Sequence, residues 1–402
     1  MPLRLPPLRP GHRLTLLEGS GELFPALIEA IDQAGHEVWL ESYIFDFTGG
    51  SIGVAQALER AARRGVVVRV VVDGFGTPLL PPDWRLRFRQ SGVDWQVYAP
   101  VGSLGVLWPG GWRRLHRKLC VVDGVVAFCG GINILDDLHD PALGRLEAPR
   151  LDFAVRVRGP LVDDISQTLQ QVWQRLRAMR SLNPQALAEA LRLPRAAADA
   201  APGGDEGAGA TVRAGLLLRD NLGYRSHIER AYLRAIGRAQ DEILIANAYF
   251  VPGRRLRLAL IRAARRGVRV SLLLQGRYEY FMQYYASRPV YGSLLRAGVQ
   301  IHEYSASFLH AKVAVIDGRW ATIGSSNLDP LSLLVAREAN VVVEDEAFAT
   351  RLRARLLHAI EHQGQAMDPA RYAARPRGER LLEWIALGVM RVALMIQGKT
   401  YL

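Results

Sequence analysis

The sequence predicts an α/β fold of two duplicated lobes, each a mostly parallel or mixed sheet flanked by helices. Three observations carry that prediction. "ALERAARRGVVVRVVVDG" (57–74) returns as "ALIRAARRGVRVSLLLQG" (259–276). "HEVWLESYIF" (36–45) returns as "DEILIANAYF" (241–250). "LHRKLCVVDG" (115–124) returns as "LHAKVAVIDG" (309–318), in the same order along each half. Ordered self-similarity of this length is the signature of an internal duplication.

Each half starts with a helical pattern, "LFPALIEAIDQA" (23–34) and "HIERAYLRAIGRA" (227–239). A strand-like segment follows, then the repeated amphipathic helix, its Gly stop and a near-continuous apolar strand. A strand that is apolar on both faces belongs inside a parallel sheet covered by helices. Strand, helix, strand in this order gives βαβ units. "WQVYAP" and "VQIHEY" are further strands. "DDISQTLQQVWQRLRAM" (163–179) places Ile165, Leu169, Val172, Trp173 and Leu176 on one helical face. Periodicity then stops in the Ala/Gly/Pro-rich "RAAADAAPGGDEGAGA", which reads as a linker. The domain reading is therefore a first lobe at 1–194, a linker at 195–211, a second lobe at 212–365 and an amphipathic tail at 366–402.

A length of 402 residues with 49% apolar and 22% charged residues is that of an ordinary globular protein with a substantial core. The net charge of +12 favours an anionic partner, either nucleic acid or an anionic lipid surface. Cys120 and Cys129 do not make a disulfide framework. They flank a hairpin, across which they could face each other, and are read as buried reduced thiols. The N-terminus has no apolar run of signal-peptide or anchor type. No stretch is long and uncharged enough to span a bilayer. "LLEWIALGVMRVALMI" (381–396) comes nearest, interrupted by Glu383 and Arg391. It suits either an interfacial helix or a helix docked on the body.

Of the 51 basic residues only Lys118, Lys312 and Lys399 are lysines. Two of the three lie in the repeated decapeptides. Aligned on their histidines, the copies give His116, Lys118, Asp123, Gly130, Gly131 and Asn133 against His310, Lys312, Asp317, Gly324, Ser325 and Asn327. In extended backbone, residues i and i+2 share a face, so His and Lys project together. The D-G pairs mark hairpin turns, which gives Asp123 and Asp317 a supporting place in the motif. If the halves pack face to face, one pocket holds two His, two Lys and two Asn.

That set suits a phosphodiester. Ammonium groups and amide donors bind the non-bridging oxygens. The planar fork of Arg beside the His would change reach and hydrogen-bond geometry, which accounts for the retained lysines. One His can attack phosphorus while the other protonates the leaving oxygen, then activates the acceptor. No metal-ligand pattern accompanies the site, so neither metal nor other cofactor is expected. Each imidazole needs an orienting carboxylate. Counted within each half, Glu338 follows His310 by 28 residues and Asp152 follows His116 by 36, with eight extra residues in "LDDLHDPALGRLEAP".

These paired motifs resemble the HKD motifs of the phospholipase D superfamily. "HRKLCVVDGVVAFCGGINI", "LDFAVRVRGPLVDDI", "IANAYFVPG" and "GSSNLDPLSLLVAREANVVV" are similar to the bacterial cardiolipin synthases, of the B type in particular. The resemblance covers roughly residues 12–365. It implies two phospholipase D-like lobes with pseudo-twofold symmetry and one shared active site. It implies metal-independent phosphatidyl transfer between two phosphatidylglycerol molecules, releasing glycerol. His116 maps to the usual nucleophile of the superfamily and His310 to the acid and base. Two departures, Arg150 before Leu151 and Asp152, and Leu331 after D-P, bear on subgroup. The other reading is a hydrolase of lipid or nucleic acid using the same pocket.

An apolar loop with Leu104, Val106, Leu107, Trp108 and Trp112 precedes Arg113, Arg114 and His116, and suits a bilayer interface. "GRYEYFMQYYASRP" stands at the corresponding point of the second half. The expected partners are phosphatidylglycerol and anionic membrane lipid. No nucleic acid is expected, and the oligomeric state is left open. The expected location is peripheral, on the cytoplasmic face of the bacterial inner membrane.

Overall fold

The computed structural model describes residues 5–100, 114–140, 143–181, 212–220, 224, 226–277, 281–329 and 336–396. Among the described residues fifteen strands follow one another in a continuous sheet, Arg114–Leu115 joins it off that path as a sixteenth, and a second sheet has two strands. The first lobe contributes, from its edge inward, Asp94–Tyr98, Val67–Asp73, Glu37–Ser42, Leu119–Val122, Val126–Gly130, Phe153–Arg158 and Arg9–Glu18. The second contributes Gly364–Ala366, Gln300–Tyr304, Arg269–Gln275, Glu242–Asn247, Lys312–Ile316, Trp320–Gly324, Ala336–Glu344 and Val212–Arg219. In each lobe the three strands of the βαβ units are parallel, and the motif hairpin adds antiparallel to them.

The lobes meet along several segments. Arg9–Glu18 pairs antiparallel with Val212–Arg219, which makes the sheet continuous. In addition, Val126–Gly130 and Phe153–Arg158 pack against Trp320–Gly324 and Ala336–Glu344. One apolar cluster lies inside each lobe, and a third spans the two. The spanning cluster takes in Leu169, Val172, Trp173 and Leu176 of the helix Leu161–Ser181, with Phe348, Leu352 and Leu356 of the helix Glu346–Gln363. Leu161–Ser181 buries the face its spacing predicts. Trp173 stands edge-on to Trp39 at 5.8 Å, with the Arg69 guanidinium 4.4 Å over the Trp39 ring.

The repeated "RRG" ends the helices Ser51–Arg63 and Arg254–Arg265 in the same manner. Gly65 and Gly267 take φ of 91° and 94°, a conformation suited to glycine. Val66 then donates to the Ala61 carbonyl at 3.1 Å, and Val268 to that of Ala263 at 3.2 Å. The second arginine of each copy reaches a neighbouring helix end. Arg64 donates to the Ile31 and Ala34 carbonyls, Arg266 to those of Ile236 and Ala239.

The structure corrects two expectations. Cys120 and Cys129 are buried and free, but they do not face each other. Cys120 sits opposite Phe128, and Cys129 opposite Leu119, so the thiols point to opposite sides of the sheet. Burial pushes the Cys129 thiol up to about 12. The boundary at 365/366 also cuts a strand, because Gly364–Ala366 pairs with Gln300–Tyr304. Beyond it the helix Arg377–Ile396 packs on Phe281–Leu295. The linker at 195–211 and the loop with Trp108 and Trp112 lie outside the described residues.

Asp123 and Asp317 do not enter the pocket. Both have φ of 50° at the far end of their hairpins, separated from the histidine by a strand of 4 residues in the first lobe and 5 in the second, roughly 13 and 16 Å at ~3.3 Å per residue. Asp123 accepts the backbone N–H groups of Gly35, His36 and Glu37, each at 2.8 Å. Asp317 accepts those of Gln240, Asp241 and Glu242 at 3.0, 2.9 and 3.0 Å. Each carboxylate therefore pins the hairpin turn to the start of the neighbouring parallel strand and is held below its usual pKa by these donors, against the opposing effect of burial. Asp123→Ala and Asp317→Ala should each lower stability by about 2–4 kcal/mol, since three backbone donors lose a charged acceptor. Urea midpoints should fall with the slope unchanged; a wild-type midpoint would refute the anchoring role.

Candidate functional site

The two histidines sit where the chain changes partners between lobes. Arg114–Leu115 pairs in parallel with Ala336–Arg337 of the second lobe, while Leu119–Val122 pairs within the first lobe. His116, Arg117 and Lys118 fall in the break between these pairings. They belong to no regular strand, whereas the spacing had placed His116 and Lys118 on one. The second copy repeats the arrangement. Leu309 bridges Leu151 of the first lobe, and Lys312–Ile316 then joins its own sheet. The His116 N–H donates to the Arg337 carbonyl at 3.0 Å, and the His310 N–H to the Leu151 carbonyl at 2.9 Å.

The next residue along each acceptor segment is the orienting acid. His116 Nδ1 lies 3.1 Å from Glu338 Oε2, and His310 Nδ1 lies 2.6 Å from Asp152 Oδ2. The acids named from the sequence are thus present, but the pairing within each half is corrected. Each half supplies the carboxylate for the other half's histidine. The reason is steric and local: the strand carrying the acid is the one that takes the histidine's backbone N–H. Both carboxylates are buried, Glu338 at 0% and Asp152 at 2% exposure, whereas the imidazoles keep 15% and 22%. With Nδ1–H given to a carboxylate, Nε2 of each ring is left for chemistry.

Burial moves the titration of both histidines, Lys118 and Asp152. Burial pushes the His116 and His310 imidazoles down, His310 far down, and both ammonium groups of Lys118 and Lys312 add to the effect. His116 also acts on His310, so both motifs meet in one electrostatic environment. Burial pushes the Asp152 carboxyl up to about 7. It brings Lys118 down to about 7, aided by the like charge of Lys312. An anion entering here would relieve the repulsion between the two ammonium groups.

Each lysine turns back on its own histidine. Lys118 Nζ donates to the His116 carbonyl at 2.9 Å, and Lys312 Nζ to that of His310. Lys312 also lies 3.9 Å from Asp152 Oδ2. Asn133 is buried, and its Oδ1 accepts the Ile44 N–H at 3.1 Å. Asn327 is buried in the matching place. Each precedes a residue bridging a phenylalanine, Ile134 to Phe45 and Leu328 to Phe250.

Sequence reasoning gave no role to four supporting groups, one of which, Ser325, stands in the aligned second motif. Asp73 Oδ2 accepts the Leu115 N–H at 2.7 Å, and Gln275 Oε1 accepts that of Leu309 at 3.1 Å, so each tethers the residue before a histidine. The signal was there, since D-G and Q-G end the repeated strands. The Tyr43 ring lies 4.8 Å from that of His116, tilted by 60°, and carries Lys118 Nζ 5.3 Å from its centre. Ser325 Oγ donates to Glu338 Oε2, whereas at its counterpart Gly131 a side chain would clash with Asp152.

Two predictions follow from this geometry. In double-mutant cycles on stability, His116 with Glu338 and His310 with Asp152 should couple by ~1–3 kcal/mol, while His116 with Asp152 and His310 with Glu338 should add within ~0.5. The reverse pattern would restore pairing within each half. Lys118 has its folded pKa below the ordinary 10.5. Folding thus releases a proton between about pH 7 and 10.5, and stability rises with pH across that window. Lys118→Met should be more stable than wild type at pH 7, by on the order of 1–3 kcal/mol. That advantage should vanish toward pH 10 in urea titrations; an advantage independent of pH would rule out this account.

The sequence and the fold have counterparts among known proteins. The family profile "Cardiolipin synthase, PLD-like domain" matches residues 27–139 and 232–360, one segment in each lobe. Cardiolipin synthase B of Shigella flexneri is 38% identical over 361 residues, covering 90% of this chain and 83% of that protein. Cardiolipin synthase B of Escherichia coli K12 is 37% identical over the same length. Cardiolipin synthase A of Erwinia tasmaniensis is 28% identical over 378 residues, 93% of this chain and 74% of that one. In fold, the phosphatidylserine synthase of Haemophilus influenzae Rd KW20 superposes with a TM-score of 0.69 at 13% identity, covering 96% of both chains. The duplicated lobes with crossed histidine–carboxylate pairs, and relatives of this identity and coverage, place the chain in the cardiolipin synthase family of phospholipase D-like proteins.

Proposed function

We propose that this chain is a cardiolipin synthase, a phosphatidyltransferase that joins two phosphatidylglycerol molecules and releases glycerol. The observation that carries the residue roles is the crossed pair of imidazoles, each tied at Nδ1 to a buried carboxylate of the other lobe. In the first step His116 Nε2 attacks the phosphorus of one phosphatidylglycerol. The bond from phosphorus to the headgroup glycerol oxygen breaks, and His310, protonated at Nε2 once the entering phosphodiester anion offsets its charge, gives that oxygen its proton. Glu338 offsets the positive charge that develops on His116. In the second step His310 takes the proton from a glycerol hydroxyl of a second phosphatidylglycerol. That oxygen attacks phosphorus, the phosphorus–nitrogen bond breaks, and cardiolipin leaves.

Lys118 and Lys312 hold the non-bridging oxygens, with Asn133 and Asn327 as further polar groups. Their charge acts in surroundings where ion–ion terms are strong. Asp73 and Gln275 hold the segments on which the histidines ride. No helix among the described residues is long and apolar enough to cross a membrane. In our reading the chain works as a peripheral protein on the cytoplasmic face of the inner membrane, and no metal enters the reaction.

Purified protein incubated with phosphatidylglycerol vesicles and EDTA should release cardiolipin and glycerol in equal amounts, as identified by mass. Phosphatidic acid as the main product would make the chain a hydrolase, and loss of turnover with EDTA would bring in a metal. His116→Ala and His310→Ala should each reduce turnover by at least about 10³-fold. Near-normal turnover in either variant would sink the two-histidine mechanism.

A further inference from the structure

The helix Arg377–Ile396 is apolar on two sides. Its inner face lies against Phe281–Leu295 and buries Glu383, Ala386 and Leu387 at 4%, 2% and 3% exposure. Glu383 is held there by an ion pair with Arg375. Nearby, the Tyr372 hydroxyl donates to the Arg288 carbonyl. The outer face presents Leu381, Trp384, Ile385 and Val389 at 63%, 57%, 53% and 53% exposure. Steps of three, one and four residues put these four on a single stripe. Arg377 and Arg380 are exposed at its N-terminal end.

Such a stripe calls for an occupant. Four half-exposed side chains offer on the order of 400 Å², about half of the ~800 Å² that each partner of a stable dimer buries. A self-associated pair is therefore poorly supplied. A bilayer needs less: Trp favours the headgroup boundary, Leu, Ile and Val favour the acyl region, and arginines at the rim meet anionic phosphate. The net charge of +12 has the sign that such a surface attracts.

We propose that Arg377–Ile396 is an interfacial anchor. It lies in the plane of an anionic bilayer with Leu381, Trp384, Ile385 and Val389 at the acyl boundary, while its inner face stays docked on the second lobe. The choice of a bilayer as occupant rests on the reading that this chain draws its substrate from one. The rigid docking gives the anchor a role beyond tethering. It fixes the tilt of the second lobe, and with it the pocket, relative to the lipid surface.

The test uses the full chain and vesicles of phosphatidylglycerol with phosphatidylcholine. Leu381→Ser/Trp384→Ser/Ile385→Ser should weaken co-sedimentation with vesicles by at least about tenfold. Its turnover of a short-chain phosphatidylglycerol dispersed as monomers should equal that of wild type. Trp384→Phe keeps the apolar face and guards against misfolding of the triple variant. It should still bind vesicles, but lose much of the tryptophan fluorescence that brominated lipids quench in wild type. A folded triple variant that binds vesicles like wild type would overturn the proposal, as would vesicle-bound wild type in which Trp384 is not quenched. A triple variant that turns a dimer into a monomer with vesicle binding unchanged would make the stripe an interface between copies. If wild type makes no cardiolipin but Trp384 is quenched, the synthase reading falls and the anchor stands.

Discussion

The reciprocal exchange of carboxylates between lobes is the constraint on which the rest of the site depends. Glu338 holds His116, and Asp152 holds His310. Backbone bonds from each histidine to the residue before the other lobe's acid run alongside. Neither lobe can present an oriented imidazole alone, so the pocket exists only when the lobes are joined. The continuous sheet and the spanning apolar cluster hold that junction rigid. Positioning of this kind matters because catalytic groups lose much of their effect when displaced by an ångström.

The duplication is symmetric in its bonds but not in its environment. On the side chain between His116 and Lys118, Arg117 forms a buried two-pronged ion pair with Glu41 at 3.0 and 3.2 Å. The matching positions of the second half are Ala311 and Ala246, both fully buried. Tyr43, which covers the His116 ring, has Ala248 as its counterpart. Asp152 abuts Gly131, whereas the longer Glu338 gains the hydroxyl of Ser325. A two-step transfer asks different things of its two imidazoles, and these differences supply the means for one ring to be sheltered and the other left more open.

The site is held at a cost in stability. Two ammonium groups and two carboxylates share a region where burial opposes charge, as the shared value of about 7 for Lys118 and Asp152 reflects. Stability elsewhere offsets this. Asp123 and Asp317 each gather three backbone donors, the RRG turns close their helices with left-handed glycines, and Leu161–Ser181 seals the junction with Trp173. Two of the three residues in each H-K-D motif thus lie where the lobes meet, while the aspartate holds the frame that carries them.

How much was legible in sequence depends on the range of the information. The duplication, the βαβ order, the helix read at 163–179 and the identity of His116, Lys118, His310, Lys312, Asp152 and Glu338 were all readable. They rest on local periodicity and on an internal repeat, and both are properties of the chain as written. The strands Arg9–Glu18 and Val212–Arg219, which join the lobes, carried no repeat to reveal them. The pairing of acid with histidine was not readable either. Spacing along the chain counts residues within a half, whereas the bond follows strand neighbours across 222 positions for His116 and Glu338. Chemical identity is thus inscribed in the order of residues, but which acid serves which base is decided by which strands lie side by side.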